Sequence, residues 1–326
     1  MNKGLQKLTE ISRAFRPAKM LLTACELDLF DRLETPSTAA EVARAAKANE
    51  RAVGILLDGL AALGLVRKQG GAYRNGQEVS KWLVSGKPDY RGAIFKHMAN
   101  CWHGWTGLTE TIKTGRSGDD ERDWHKGERR DFILGMHAIA RDLAPRLAGL
   151  LPLPEQGRAI DIGGGPGTYD MAFCRRRPGL TSTLFDLPET IKIARGVIKA
   201  EGQDVASRIK LKAGDFTTDE LGSGFDFAWI SQILHAYSEA DCAALIGKAY
   251  GALAPGGVAA VHEFALNESK TAPVDAALFS VHMLAVTPGG RAYSRGEITG
   301  WMREAGFKRV KAMGATPASI IIMGYK

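Results

Sequence analysis

With 326 residues, 45% hydrophobic and 24% charged side chains, the chain can form two ordinary globular domains with a sizeable core. No apolar run approaches the ~18 residues that span a bilayer, and Met1 to Lys7 lead into an amphipathic pattern without a signal-peptide core. A cytoplasmic protein without a membrane span is expected. The formal net charge of +7 lies mainly in the first half and is spread out, as on a solvated basic surface rather than a nucleic-acid footprint. Cys25, Cys101, Cys174 and Cys242 are far apart and share no ligand-like spacing with histidine, so reduced thiols and no metal site are expected.

In chain order, residues 1 to about 34 read as helix. Leu5, Leu8, Ile11 and Phe15 share one face, which calls for a partner such as a second subunit. Thr38 with Glu41 forms a capping-box pattern, and Asn49 can cap a further helix striped by Val53, Leu56, Leu57, Leu60 and Leu63. Leu65 to Arg74, turning at Gly70-Gly71, reads as a small hairpin, which completes a winged helix. The second helix carries Arg51 but also Glu50, with alanine, glycine and leucine beyond. That surface suits dimerisation or a lid better than a DNA groove.

Residues 91–150 predict two or three helices. One stretch, Phe95 to Trp105, is rich in aromatics and histidine and fits either core or the wall of a pocket for a planar molecule. Thr114 to Arg122 reads as a loop, and Phe132, Met136 and Ile139 share a helical face.

From Ala159 the pattern alternates strand and helix. Strands are expected at Ala159–Ile162, Thr181–Phe185, Ile209–Ala213, Phe225–Ile230 and Gly257–Phe264. Helices are expected at Asp170–Arg176, Glu189–Ala200, Ala240–Ala252, Val274–Ala285 and Glu297–Ala305. Phe307–Val310 and Ser319–Met323 would close an antiparallel edge. This is the alternation of an α/β, Rossmann-like, doubly wound, mostly parallel sheet. The expected domains are 1–95 (winged helix), 96–150 (helical linker and pocket helices) and 151–326 (α/β).

The first strand, after a turn at Gly157-Arg158, runs into Asp161-Ile162-Gly163-Gly164-Gly165-Pro166-Gly167. Glycine there lets a ligand approach the backbone. The spacing is D-x-G-x-G-x-G rather than G-x-G-x-x-G, which suits a ligand with a cation and a ribose better than a pyrophosphate. Ligands of open α/β sheets sit at the carboxyl ends of the strands. Those ends carry Asp186-Leu187 (an acid for ribose hydroxyls), Gly214-Asp215-Phe216 (an acid and a ring for adenine) and Ser231-Gln232-Ile233-Leu234-His235.

On these runs, together with Leu253-Ala254-Pro255-Gly256-Gly257 and Thr287-Pro288-Gly289-Gly290-Arg291, nearly the whole chain resembles the class I S-adenosylmethionine-dependent small-molecule O-methyltransferases. These include enzymes of plant phenolics and of bacterial pigments and antibiotics. The resemblance implies S-adenosyl-L-methionine as cofactor, with S-adenosyl-L-homocysteine as product. It implies a homodimer formed through the N-terminal domain. It places the cofactor on Asp161, Gly163, Gly165, Asp186, Leu187, Gly214, Asp215, Phe216 and Ser231. Phe132, Met136, Met283 and Thr287 fall at acceptor positions, and His103, His282 and Tyr293 are further candidates. His235 matches the catalytic base and Glu263 an acid that orients it. The acid that often follows this histidine in the family is Ala236 here, a second acid is replaced by Ala292, and only Glu263 matches the pair that orients the histidine.

The expected reaction is SN2 methyl transfer to the hydroxyl of a small, aromatic or conjugated molecule. Positioning and a histidine base are the only demands on the protein. Two alternatives stay open. One is a same-fold enzyme of altered chemistry (C- or N-methylation, decarboxylation or hydroxylation). The other is a ligand-sensing winged-helix regulator that binds DNA.

Overall fold

A computed structural model describes residues 2–117 and 127–326, which form two compact units, Met1–Cys101 and Trp102–Lys326. In the first unit, α1 (Lys3–Arg13) and α2 (Phe15–Glu26) replace the single helix expected over residues 1–34. The break at Ala14 leaves Leu5, Leu8, Ile11 and Phe15 exposed, whereas Leu29, Phe30 and Leu33 enter the core from beyond the helix end. β1 (Ser37–Thr38) leads into α3 (Ala39–Ala46), which opens with the capping box of Thr38 and Glu41. Asn49 caps α4 (Glu50–Ala62), whose Val53, Leu57 and Leu60 are buried while Leu63 is not. The hairpin β2 (Val66–Gln69) and β3 (Ala72–Asn75) pairs with β1, and α5 (Gln77–Leu83) and α6 (Gly92–Asn100) complete the unit.

The second unit begins with α7 (Trp102–Thr106), α8 (Leu108–Thr114) and α9 (Glu128–Leu150). Residues 91–150 therefore hold four helices among those described, where two or three were expected. Most of the expected loop Thr114–Arg122 lies outside the described residues, and Thr114 itself closes α8. The alternating region follows the predicted order. It runs β4 (Gln156–Ile162), α10 (Thr168–Arg176), β5 (Gly179–Asp186), α11 (Pro188–Ala200), α12 (Gln203–Ala206) and β6 (Ile209–Ala213). It continues through β7 (Phe225–Ser231), α13 (Glu239–Ala252), β8 (Leu253–Leu266), α14 (Val274–Val286), β9 (Tyr293–Ser294) and α15 (Arg295–Glu304). The last elements are β10 (Lys308–Gly314) and β11 (Ser319–Tyr325). Gly157-Arg158, expected as a turn, belongs to β4. A Cβ on Gly157 would collide with the Asp226 carboxylate, which instead accepts from the Arg158 amide at 2.8 Å.

The sheet order is β10-β11-β8-β7-β4-β5-β6, with β9 beside β8. β4, β5, β6, β7 and β8 run parallel, and β11 and β10 form the antiparallel edge. The chain builds outward from β4 through β5 to β6, then crosses back to β7 and β8. The switch point lies between β4 and β7, where open α/β sheets bind ligands.

Alternation along the strands assigns each face its own core. Ile160, Ile162, Phe185, Ile230 and Val261 pack with Leu245, Ile246, Ile298 and Met302 of α13 and α15. Ala159, Phe227, Trp229, Ala260 and Ile321 pack with Leu147, Tyr169 and Phe173 of α9 and α10. With helices on both faces, β7 is apolar almost throughout, as a central parallel strand must be. No helix among the described residues is long and apolar enough to cross a membrane.

Candidate active site at the carboxyl ends of the strands

The ladder between β4 and β5 ends where Gly163 N–H donates to Phe185 O at 2.8 Å. Gly163, Gly165 and Gly167 all have positive φ, which L side chains rarely adopt. Their surroundings differ. A Cβ at Gly163 would strike Ile233, and one at Gly167 would strike Leu184 and Ile198. Gly165 faces open space. Its amide donates to Asp186 Oδ2 at 2.8 Å, and Leu187 N–H donates to Asp186 Oδ1 at 2.7 Å. Burial pushes the Asp186 carboxyl upward, against the two amide donors that favour its charged form. The next strand end carries Gly214, where any Cβ would meet the Phe185 ring. Asp215 Oδ1 accepts from Thr217 N–H and Oγ–H at 2.8 and 2.7 Å. Phe216 meets Tyr237 edge-on at 5.0 Å.

A nucleoside site needs an open backbone cradle, an acid for a ribose and an aromatic wall. Gly165, Asp186 and Phe216 supply these three at neighbouring strand ends. The residues fit the cofactor on this structure's own geometry.

Asp161 lies elsewhere. On the β4 face that looks toward α10 it is 1% exposed. A Cβ on Gly164 would meet its carboxyl at 2.8 Å, so it lies directly against the loop backbone. No donor among the described residues reaches its oxygens or Asp170 Oδ2, and the neighbouring Asp170 carboxyl adds to the upward push on Asp161. Burial pushes both above the usual carboxylate range, Asp170 to about 6, with Ser182 O–H opposing at Asp170. The pair therefore retains a proton. Ser231 is likewise engaged within the protein. Its hydroxyl bonds His262 Nδ1 at 2.9 Å, and His262 Nε2 bonds Ser319 at 3.1 Å. Burial lowers His262 to about 4, so this ring stays neutral.

The end of β7 builds the second half of the site. Gln232 takes a left-handed φ of 57°, a conformation that costs about 1 kcal/mol or more in a residue other than glycine. The bend turns the amides of Ile233 and Leu234 onto Glu263 Oε1 at 2.7 and 2.8 Å. Glu263 Oε2 then bonds His235 Nδ1 at 2.8 Å. The carboxylate is 2% exposed. With both oxygens accepting, it fixes the imidazole proton on Nδ1 and leaves Nε2 with a lone pair. The loop Thr287–Gly290 packs on this turn so closely that a Cβ on Gly290 would lie 2.2 Å from His235 O.

Of the expected acceptor residues, Met283 and His282 lie on α14, which packs against α7, α8, β8 and the His235 turn. Phe132 and Met136 are half-buried on α9, and His103 is exposed on α7. Thr287 Oγ donates to Met283 O and accepts from Gly290 N–H, so its hydroxyl holds the loop. Tyr293 is a correction. It is buried among α13 and α15 residues, under Trp301, with its hydroxyl donated to Tyr237 O at 2.6 Å. Neither end of its side chain is left for an acceptor. Two aromatic contributors stand beside these residues: Phe279, which was not singled out from sequence, and Trp105, which closes the Phe95–Trp105 stretch read as core or pocket wall. Phe279 meets His235 edge-on at 4.7 Å, and Trp105 donates to His282 Nδ1 at 2.9 Å. The spacing of Phe279 and His282 was the available signal for the first.

Residues 110–308 match an O-methyltransferase domain, and residues 9–86 match an O-methyltransferase dimerisation domain. The chain is 33% identical to a 3-hydroxy-5-methyl-1-naphthoate 3-O-methyltransferase of Streptomyces sahachiroi, over 98% of this chain and 94% of that protein. It is 29% identical to the tetracenomycin polyketide synthesis 8-O-methyl transferase TcmO of Streptomyces glaucescens, over 99% and 97%. Among solved structures, an O-methyltransferase family protein from Burkholderia thailandensis superposes with a TM-score of 0.87. It is 28% identical and covers 99% of this chain and 98% of its own. PigF with SAH gives a TM-score of 0.89 at 26% identity, covering 98% and 99%.

The buried carboxyl pair generates a stability prediction. A pKa raised on folding adds stability at low pH that is lost as pH rises through the folded value, here about 6 for Asp170. Asp170→Asn removes that loss while keeping an acceptor for Ser182. Its melting temperature relative to the parent should therefore rise by roughly 2–4 °C between pH 5 and pH 8 in parallel thermal scans. A difference independent of pH would rule out proton retention by the pair.

Proposed function

The chain belongs to the S-adenosylmethionine-dependent O-methyltransferase family, and from that premise we propose that it methylates a hydroxyl of a small aromatic or conjugated molecule, with His235 as general base. The observation that carries this reading is the His235–Glu263 pair, set beside a cradle for the cofactor. S-adenosylmethionine, when bound, supplies a methyl group made electrophilic by its sulfonium. Asp186 would hold the ribose, Asp215 and Phe216 the adenine, and the open backbone at Gly165 would admit the methionine portion. His235 Nε2 would take the proton of the acceptor hydroxyl. Glu263 would stabilise the imidazolium so formed, without itself moving. Such a base contributes typically 10²–10⁴-fold. Neither the acceptor hydroxyl nor the imidazole needs a charge before the proton moves, which suits a phenol or enol near neutrality.

The N-terminal unit is proposed as the dimerisation body, with the apolar face of α1 as part of its contact surface. Leu8 and Ile11 are 65% and 64% exposed, and Leu5 and Phe15 extend the stripe. A second copy of this chain is the proposed partner, in keeping with the dimerisation-domain match.

Three outcomes test these assignments. Asp186→Ala should weaken S-adenosylmethionine binding at least tenfold by calorimetry, and parent-like affinity would remove the residue from the cofactor site. His235→Ala should lower kcat by about 10²–10⁴-fold while cofactor affinity stays within about twofold; turnover at the parent rate excludes the base role. Leu8→Asp combined with Ile11→Asp should convert a dimer to a monomer in sedimentation equilibrium at micromolar concentration. A dimer that survives both charges does not use this face.

A further inference from the structure

Two histidines flank one phenylalanine in the acceptor region, and their protein partners fix them with opposite polarity. Phe279 and His282 stand one turn apart on α14. The Phe279 ring lies 4.7 Å from the His235 ring, edge-on, and 6.0 Å from the His282 ring. Trp105 stacks on His282 at 6.1 Å and 14°. Its indole N–H, a donor that cannot accept, is directed at His282 Nδ1 at 2.9 Å. That nitrogen must therefore carry the lone pair, so the proton of the neutral ring sits on Nε2. Burial and the neighbouring His235 both lower the His282 pKa, which keeps the ring neutral. At His235 the order is reversed, because Glu263 holds the proton on Nδ1 and leaves Nε2 bare. Neither Nε2 atom has a hydrogen-bond partner among the described residues.

The two free ring atoms are thus a lone pair and an N–H. This N–H is open to water until a ligand covers it, and covering it costs free energy unless the ligand supplies an acceptor. We propose that His282 is a specificity-determining residue. Its Nε2–H receives a carbonyl-type oxygen borne by the same ring system as the hydroxyl that His235 deprotonates. Trp105 is its positioning residue, acting through the tautomer. The inference rests on the reading of His235 given above and narrows the acceptor to hydroxyaryl carbonyl compounds.

Two measurements on the full-length chain test it. In nitrogen-15 histidine spectra at neutral pH, His282 should show a pyridine-type Nδ1 and a pyrrole-type Nε2. Trp105→Phe should mix the two tautomers, and the reverse tautomer in the parent overturns the proposal. In the second, 3-hydroxyacetophenone and 3-ethylphenol are titrated against protein saturated with S-adenosylhomocysteine. The probes match in shape and differ in the carbonyl. The ketone should bind about fivefold more tightly, as one added hydrogen bond provides. His282→Phe should bring the ratio of the two affinities to near one, and Trp105→Phe should bring it part of the way. A parent ratio near one, absence of ketone binding, or a parent-like ratio in His282→Phe overturns the inference. Failure of S-adenosylhomocysteine itself to bind in the same titration would instead overturn the function proposed above.

Discussion

The half of the site built at the end of β7 depends on where the Glu263 carboxylate is held. It is buried, yet both oxygens are satisfied, one by the Ile233 and Leu234 amides and the other by His235. A buried charge without such partners would cost several kcal/mol. The register of β7 on β8, with Ser231 opposite His262, sets Glu263 level with the turn that must reach it. The left-handed Gln232 is the local cost of that reach. Gly290 then has to lack a side chain, because the His235 carbonyl occupies the space. The holding of one carboxylate thus fixes a strained residue, a glycine and the tautomer of a histidine.

The cofactor side is organised by strand parity instead. Ile160 and Ile162 face α13 and α15, so Asp161 must face α10. There it meets Asp170, and the pair keeps a proton beneath the glycine loop. Asp186 instead stands at the strand end and binds the loop amide at Gly165 directly. The two acids of the motif region therefore have different physical duties. Asp161 lies against the loop backbone from inside the protein, and Asp186 holds the loop from the open side.

The βαβ order, the capping box at Thr38, the edge hairpin and the run of site residues at successive strand ends were legible in the sequence. Each is written in periodicity or in a local motif. The outcomes that were not legible share a cause. Nothing local says where a hydroxyl or an indole N–H will find its partner. Tyr293 donates to a carbonyl 56 residues away in sequence, and Trp105 to a ring 177 residues away. Gly157 reads as a turn because glycine is permissive, yet here a neighbouring carboxylate excludes a side chain from the strand. The break of the first helix at Ala14 was announced by Pro17, which has no N–H to bond Arg13 O and whose ring crowds that carbonyl.

The alanines at 236 and 292 bear on the chemistry differently once the site is seen whole. Ala292 is fully buried against Leu266 and Ala276, in a cluster with no room for a solvated carboxylate. The nearby charge of Arg291 is met by Glu239 and Glu297 instead. His235 is therefore oriented by a single carboxylate. One acid balances one imidazolium, so the proton transfer in the proposed reaction leaves no net charge beside the ring. A second acid would favour the protonated histidine before any acceptor arrived. Losing the second acid is thus compatible with a base.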